Sequence, residues 1–96
     1  MTHMEHARQL RASVDVHYNC FQSVVLPFAK EIGLTEEQVY ALGMHFGSGM
    51  RHGAACGALS GTLMALGALG YDEHKAAEVI RQFRQAHGAT DCATLL

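Results

Sequence analysis

Charge is scarce in this chain, and no block of one sign occurs in it. Only 17% of the 96 residues are charged, the formal net charge is −2, and lysine and arginine form no cluster. Nucleic acid is therefore not an expected partner, because neutralising phosphates needs clustered cations. Apolar residues make up 49% of the chain, which predicts a single folded domain over residues 1–96 rather than a disordered protein.

Targeting and membrane signals are also lacking. The start of the chain is polar and carries His3, Glu5, His6 and Arg8, so no signal peptide is visible and we expect a cytoplasmic protein. The stretch 54–71 has no charge, but its 18 residues are only at the lower limit for crossing a bilayer. Because Gly, Ala, Ser and Thr are as frequent there as Leu, we expect a central helix buried on all sides and no membrane partner.

Several signatures of common site chemistry are missing. The three cysteines are separated by 36 residues in each gap, which gives neither a CxxC redox pair nor a zinc-knuckle pattern. No Ser-His-Asp order or carboxylate pair stands out, so acyl transfer and glycoside hydrolysis have no support. The loop 47–53 could hold an anion on its backbone N–H groups with help from Arg51, but it matches no phosphate-loop or dinucleotide pattern. We interpret this loop as a helix–helix connection.

The periodicity that is present is helical, and it predicts an all-α fold: a compact bundle of about five helices with a buried Gly/Ala-rich central helix. The predicted helices cover about 3–16, 20–32, 36–46, 54–69 and 73–87, and a short turn follows at 92–96. Asn19 and Thr35 each precede a Gln by three residues, which is the capping-box pattern. Pro27 lies inside the second predicted helix and should kink it.

Helical spacing also predicts which side chains reach the core. Leu95 and Leu96 should dock the final turn, and Gly57 and Gly61, four residues apart, should let another helix approach closely. The other core positions expected from spacing are Met4, Ala7, Leu10, Val14, Val24, Val25, Phe28, Ile32, Val39, Leu42, Met44, Phe46, Ala76, Val79, Ile80 and Phe83.

The cysteines share one kind of position. Cys20 follows Asn19, Cys92 follows Asp91, and Cys56 comes soon after Gly53, so each falls near the start of a predicted helix. A helix N-terminus favours the thiolate, which is the nucleophile and the metal ligand. All three are therefore candidate catalytic residues, although cysteine is also a common small core residue.

Four segments resemble the C-GCAxxG-C-C family, whose members are thought to be redox-active. They are Tyr18-Asn19-Cys20, Phe46-Gly47-Ser48-Gly49-Met50, Cys56-Gly57-Ala58-Leu59-Ser60-Gly61, and Asp91-Cys92 before Leu95-Leu96, with the CGAxxG segment the most specific. The resemblance covers about residues 16–96 and implies a small all-helical protein with four cysteines for redox or metal chemistry. Cys20, Cys56 and Cys92 match three of them. We expect the fourth to lie beyond Leu96, which makes this chain a short member lacking it.

Three functions follow as hypotheses. The first is thiol redox chemistry, in which two of Cys20, Cys56 and Cys92 form a disulfide, the third is a resolving or exchange thiol, and no cofactor is required. The second is a metal or iron–sulfur module with the same three cysteines and His52, four residues before Cys56, or a second subunit as ligands. The third is a helical scaffold with inert cysteines. A redox partner protein is expected for the first, and a homodimer through the Gly57/Gly61 face is compatible with all three.

Overall fold

A computed structural model describes residues 2–95. Regular structure in that range is helical apart from one isolated bridge, which confirms the all-α prediction. The α-helices are α1 (His3–Ala12), α2 (Cys20–Val25), α3 (Glu36–Leu42), α4 (Gly57–Ala68), α5 (Glu73–His87) and α6 (Cys92–Leu95). The Cα radius of gyration is 12.9 Å, and a compact domain of this length has one of about 12 Å. The predicted docking role of Leu96 concerns a residue outside the described range.

Side-chain caps fix the starts of the helices where the sequence predicted them. The Asn19 side chain accepts from the backbone N–H of Gln22 at 2.8 Å, and Gln22 accepts from that of Asn19 at 2.9 Å. Thr35 and Gln38 repeat this capping box at α3, and Asp72 caps α5. Each cap satisfies backbone donors that the first helical turn leaves free.

The first two helices are shorter than predicted. The first ends at Ala12 rather than near residue 16, and Val14 beyond it is 95% exposed instead of buried. The second ends at Val25, and a 3-10 turn, Leu26–Phe28, follows with Pro27 near its start. Proline has no N–H to continue the α-helical ladder, and its ring clashes with the preceding turn, so it ends the helix instead of only kinking it.

The chain after this turn closes with a glycine in the left-handed conformation. Gly33 has a φ of +78°, in the left-handed region that favours glycine. The backbone N–H of Leu34 donates to the carbonyl of Ala29 at 2.9 Å, which is the long hydrogen bond of a Schellman motif. Ile32 and Leu34 then pack against the core.

The core lies where α2 meets α4 and α3. Its buried apolar residues are Phe21, Val25, Leu26, Ala29, Val39, Leu59 and Ala65. A Cβ atom built on Gly61 would lie 3.1 Å from Val25 Cγ2 and 3.2 Å from the Phe21 carbonyl oxygen, so α2 and α4 touch almost backbone to backbone. The close approach predicted for Gly57 and Gly61 is thus made by α2 of the same chain, which covers the face suggested for a dimer.

Burial falls off away from this contact. Residues 57–66 of α4 are buried or half-buried, while Gly67 and Ala68 at its end are exposed, so the helix is central but not covered along its whole length. The predicted inward residues of α5 are only half-buried. Leu42 and Met44 are 56% and 50% exposed, because α3 ends at Leu42 and the chain turns at Gly43. No helix among residues 2–95 has the length and apolarity needed to cross a membrane.

Candidate functional site

All three cysteines lie at helix starts, as the sequence predicted. Cys20 is the first residue of α2, Cys92 is the first residue of α6, and Cys56 is the N-cap of α4. Each is half-buried and carries a free thiol. Folding therefore places every thiol where a helix begins, and the question is which of them it brings together.

An isolated antiparallel bridge joins the segments that precede α4 and α6. Ala55 pairs with Asp91, the Cys56 N–H donates to the Thr90 carbonyl at 2.8 Å, and the Cys92 N–H donates to the Ala54 carbonyl at 2.7 Å. Two segments 36 residues apart in the sequence are thus held side by side just before their helices start.

The bridge places Cys56 and Cys92 on the same side. Side chains alternate between faces along paired extended segments, so both cysteines lie on the face opposite Ala55 and Asp91. They are diagonal neighbours across the pair, a relation that puts Cα atoms about 7–8 Å apart and Cβ atoms somewhat closer. A disulfide needs Cα atoms no more than about 7 Å apart, so a small local movement would join these two thiols.

A left-handed backbone segment, residues 48–51, holds the other side of the bridge. Its φ values are 52°, 62°, 58° and 70° for Ser48, Gly49, Met50 and Arg51. Non-glycine residues in this conformation cost about 1–2 kcal/mol each, so the surrounding contacts must hold the segment in place. The loop interpreted from the sequence as a plain connection is therefore a strained structural element.

Gly49 links this segment to Cys92. A Cβ atom built on Gly49 would lie 2.5 Å from Cys92 Cβ and 2.5 Å from the Ala54 carbonyl oxygen. The Ala54 N–H also donates to the Gly49 carbonyl at 2.8 Å. The left-handed segment thus packs directly against the start of α6 and the strand-like residues before Cys56.

Asp91 fixes the first turn of α6. Its carboxylate accepts from the Thr94 backbone N–H at 2.9 Å and from the Thr94 hydroxyl. The hydrogen bond from the hydroxyl, followed by that from the backbone, lowers the pKa of Asp91 from its ordinary value. The N-terminus of the short helix α6 is thus capped by an ionised carboxylate.

Cys20 lies at the first turn of α4. A Cβ atom built on Gly57 would be 3.2 Å from Cys20 Cβ, so Cys20 abuts the first turn of α4. Its side chain lines a cavity formed by α1, α2 and α4, and neither Cys56 nor Cys92 lines that cavity. The three thiols therefore surround the start of α4, with Cys56 and Cys92 at the bridge and Cys20 facing α1.

The ligand set suggested for a metal is not assembled within one chain. His52 has φ −143° in an irregular turn, so no helix runs from His52 to Cys56 to give them a common face. Within residues 2–95, no group of three or more His, Cys, Asp and Glu side chains is arranged to hold a metal ion. Cys20, Cys56, Cys92 and His52 thus do not form a joint metal site in the described part of the chain.

A family model described as "Putative redox-active protein (C_GCAxxG_C_C)" matches residues 18–96. The chain belongs to the C-GCAxxG-C-C family. The match includes all three cysteines and the bridge, whereas α1 lies outside it. No curated protein and no solved structure matches the chain significantly.

The sequence analysis of this C-GCAxxG-C-C chain did not predict the bridge between the segments that contain Cys56 and Cys92. The pairing of Ala55 with Asp91 involves one residue pair and leaves no alternating pattern to detect. The left-handed segment had a weak signal in the glycines at 47, 49 and 53, because glycine is the usual residue at positive φ. Its three non-glycine members, Ser48, Met50 and Arg51, carried no signal of their conformation.

Proposed function

We propose that this chain is a thiol redox protein whose reactive dithiol is Cys56 and Cys92. The observation that carries the proposal is the bridge at Ala55 and Asp91, which sets these two cysteines diagonally on one face just before α4 and α6. The name of the C-GCAxxG-C-C family describes its members as redox-active and supports the same chemistry.

The proposed reaction is exchange with a disulfide of a partner protein or a small molecule. One of the two thiolates attacks the partner's disulfide, which forms a mixed disulfide and releases one partner sulfur as a thiolate. The second thiolate then displaces the other partner sulfur and closes the Cys56–Cys92 disulfide. Two electrons pass to the partner, and the two protons lost by the cysteines are taken up by the partner's thiolates.

The backbone around the dithiol is suited to this cycle. Closing the disulfide requires an approach of about 1 Å. The element that can supply it is α6, since this helix has only four residues. Cys20 takes no part in the bridge and is assigned the third, exchange role.

Counting free thiols in the wild type and in variants that each replace one cysteine by serine tests the assignment. With a modest excess of oxidised glutathione, the wild-type chain should lose two of its three thiols without forming dimers. Cys20→Ser should lose both remaining thiols at a similar rate. Cys56→Ser and Cys92→Ser should form no internal disulfide, and mass spectrometry under non-reducing conditions measures each outcome.

Two results would overturn the proposal. One is a Cys20→Ser chain that stays reduced under conditions in which the wild type oxidises, because the pair would then include Cys20. The other is a wild-type chain in which no pair closes, which is what the scaffold hypothesis predicts for inert cysteines.

A further inference from the structure

A cavity of about 660 Å³ lies between α1, α2 and α4. Its lining is mainly apolar and includes Met4, Ala7, Val24 and Phe28, together with Cys20 and Ser23. Sites for small molecules typically have volumes of about 300–1,000 Å³ and a mainly apolar lining with a few polar groups. The cavity has the size and the character of such a site.

The buried Ser23 hydroxyl lacks a hydrogen-bond partner. Ser23 is 1% exposed, and its Oγ has no hydrogen-bond partner among the described residues. Hydroxyls on the facing helix are satisfied, since Ser60 donates to the Gly57 carbonyl at 3.3 Å and Thr62 donates to the Ala58 carbonyl at 2.7 Å. Buried polar groups without partners are rare and destabilising, so a ligand atom that reached this hydroxyl would remove that cost.

Charge at the cavity indicates the sign of the ligand. Arg8 and Arg11 from α1 line it, and no acidic side chain does among the described residues. Arg11 donates to the Tyr18 carbonyl at 2.7 Å, whereas Arg8 has no hydrogen bond or ion pair within residues 2–95. Glu31 lies near one end but is occupied by His3, at 2.7 Å. A guanidinium free to bind favours a carboxylate or a similar anion.

We propose that this cavity binds a small organic anion with an apolar body. The apolar part would fill the space between Met4, Val24 and Phe28, an oxygen would satisfy the Ser23 hydroxyl, and Arg8 would pair with the charge. The site goes beyond the dithiol chemistry and does not depend on it, since neither Cys56 nor Cys92 lines the cavity. Because α1 forms one wall, the site also extends outside the part of the chain that the family match covers.

Cys20 provides a local reporter for the test. It lines the cavity, so a bound ligand should slow its alkylation, whereas Cys92 lies outside and should react as before. The probe is decanoate below its micelle concentration, with decyltrimethylammonium as a control of the same chain length and opposite charge. Trypsin releases Cys20 in 12–30 and Cys92 in 85–96, so one mass spectrum reports both rates.

We expect decanoate to protect Cys20 selectively and the cationic control to protect it much less. Equal protection by both probes would overturn the proposed charge preference. Protection of Cys20 and Cys92 to the same degree would show a non-specific effect and would overturn the site, as would no protection at all.

Variants separate a binding role of Ser23 from a structural one. Ser23→Ala should leave the urea midpoint unchanged or raise it, because it removes an unpartnered hydroxyl, and should weaken decanoate binding about five- to tenfold. Ser60→Ala removes a satisfied hydroxyl on the facing helix and should leave binding unchanged. A Ser23→Ala chain that is less stable and binds decanoate normally would contradict the proposal.

Arg8→Glu provides a second test that does not touch the core. It should weaken decanoate binding about threefold or more. Arg81→Glu changes the net charge by the same amount at an exposed position of α5, and it should leave decanoate binding unchanged. Equal affinities in these two variants would remove Arg8 from the site.

Discussion

At the scale of single residues, the position of Cys92 depends most directly on Gly49. This glycine has a φ of 62° and leaves no space for a side chain between Ala54 and Cys92. Gly70 has a similarly positive φ of 91°, yet a Cβ atom there would meet nothing within 4 Å. Substitutions at the two glycines therefore distinguish the cost of a positive φ from the cost of a steric clash.

Gly49→Ala should be far more harmful than Gly70→Ala. We expect a loss of about 1 kcal/mol of unfolding free energy for Gly70→Ala, from the left-handed backbone alone. Gly49→Ala adds clashes with a carbonyl oxygen, an amide nitrogen and Cys92 Cβ, at 2.5, 2.7 and 2.5 Å, and should lose more and displace α6. Urea unfolding measures the first effect, and the rate of internal disulfide formation measures the second.

The comparison has a clear contrary result. If Gly49→Ala matched Gly70→Ala in both stability and oxidation rate, the left-handed segment would not be positioning Cys92.

Residue-level prediction from the sequence succeeded where the signal was local. Asn19 and Thr35 start their helices because the acceptor side chain and the Gln three residues later lie within one turn of each other. The relation suggested between His52 and Cys56 depended on a helix reaching back to residue 52, and the positive φ values at Met50 and Arg51 prevent that helix. The residue types at these two positions, methionine and arginine, do not indicate a positive φ.

At the scale of elements, the contact between α2 and α4 organises the fold. Gly61 faces Val25 and Phe21 across this contact, at 3.1 and 3.2 Å from a Cβ atom built on it. Gly67 lies in the same helix, but a Cβ atom there would meet nothing within 4 Å. One helix thus contains a glycine that packs and a glycine that does not.

Alanine at the two sites should have effects of opposite sign. Gly67→Ala should raise the unfolding free energy by up to about 1 kcal/mol, the difference in helix propensity. Gly61→Ala should lower it by about 1–3 kcal/mol, because Val25 and the Phe21 backbone must move apart from α4. Urea unfolding of both variants beside the wild type gives the comparison. A Gly61→Ala chain as stable as Gly67→Ala would mean that the helices pack less closely than described.

Element types were predictable from the sequence, but the ends of the first three helices were not. The apolar stripe continues to Val14, yet the chain leaves the helix after Ala12, and no periodic pattern marks that exit. Pro27 predicted a disturbance of the second helix but not the form that it takes. Whether a proline kinks a helix or ends it depends on the tertiary contacts around it, here the buried Leu26 and Ala29.

At the scale of the whole molecule, the site is a product of topology. The segments 54–56 and 90–92 have no local reason to meet, and a single residue pair leaves no sequence pattern. The family resemblance singled out the three cysteines, but it did not say which segments folding brings side by side. The start of α6 lies beside the start of α4 because α4 and α5 return the chain to that point.

The spacing of the cysteines offers a direct test of this topology. Cys20 and Cys92 are each 36 residues from Cys56, so the entropy of closing a 20–56 link or a 56–92 link is the same in an unfolded chain. A 20–92 link closes a loop twice as long and is disfavoured by only about 0.6 kcal/mol. Any strong preference for one of the 20–56 and 56–92 links over the other must therefore come from the folded structure.

The deciding measurement is the distribution of disulfide links after brief oxidation of the native chain and of the chain in concentrated guanidinium. Trypsin separates the cysteines into 12–30, 52–75 and 85–96, so mass spectrometry identifies each link. We predict that 52–75 joined to 85–96 dominates in the native chain, and that the 20–56 and 56–92 links are about equally abundant in the denatured chain. The same distribution in both states, or a native chain dominated by the 20–56 link, would contradict the dithiol assigned to Cys56 and Cys92.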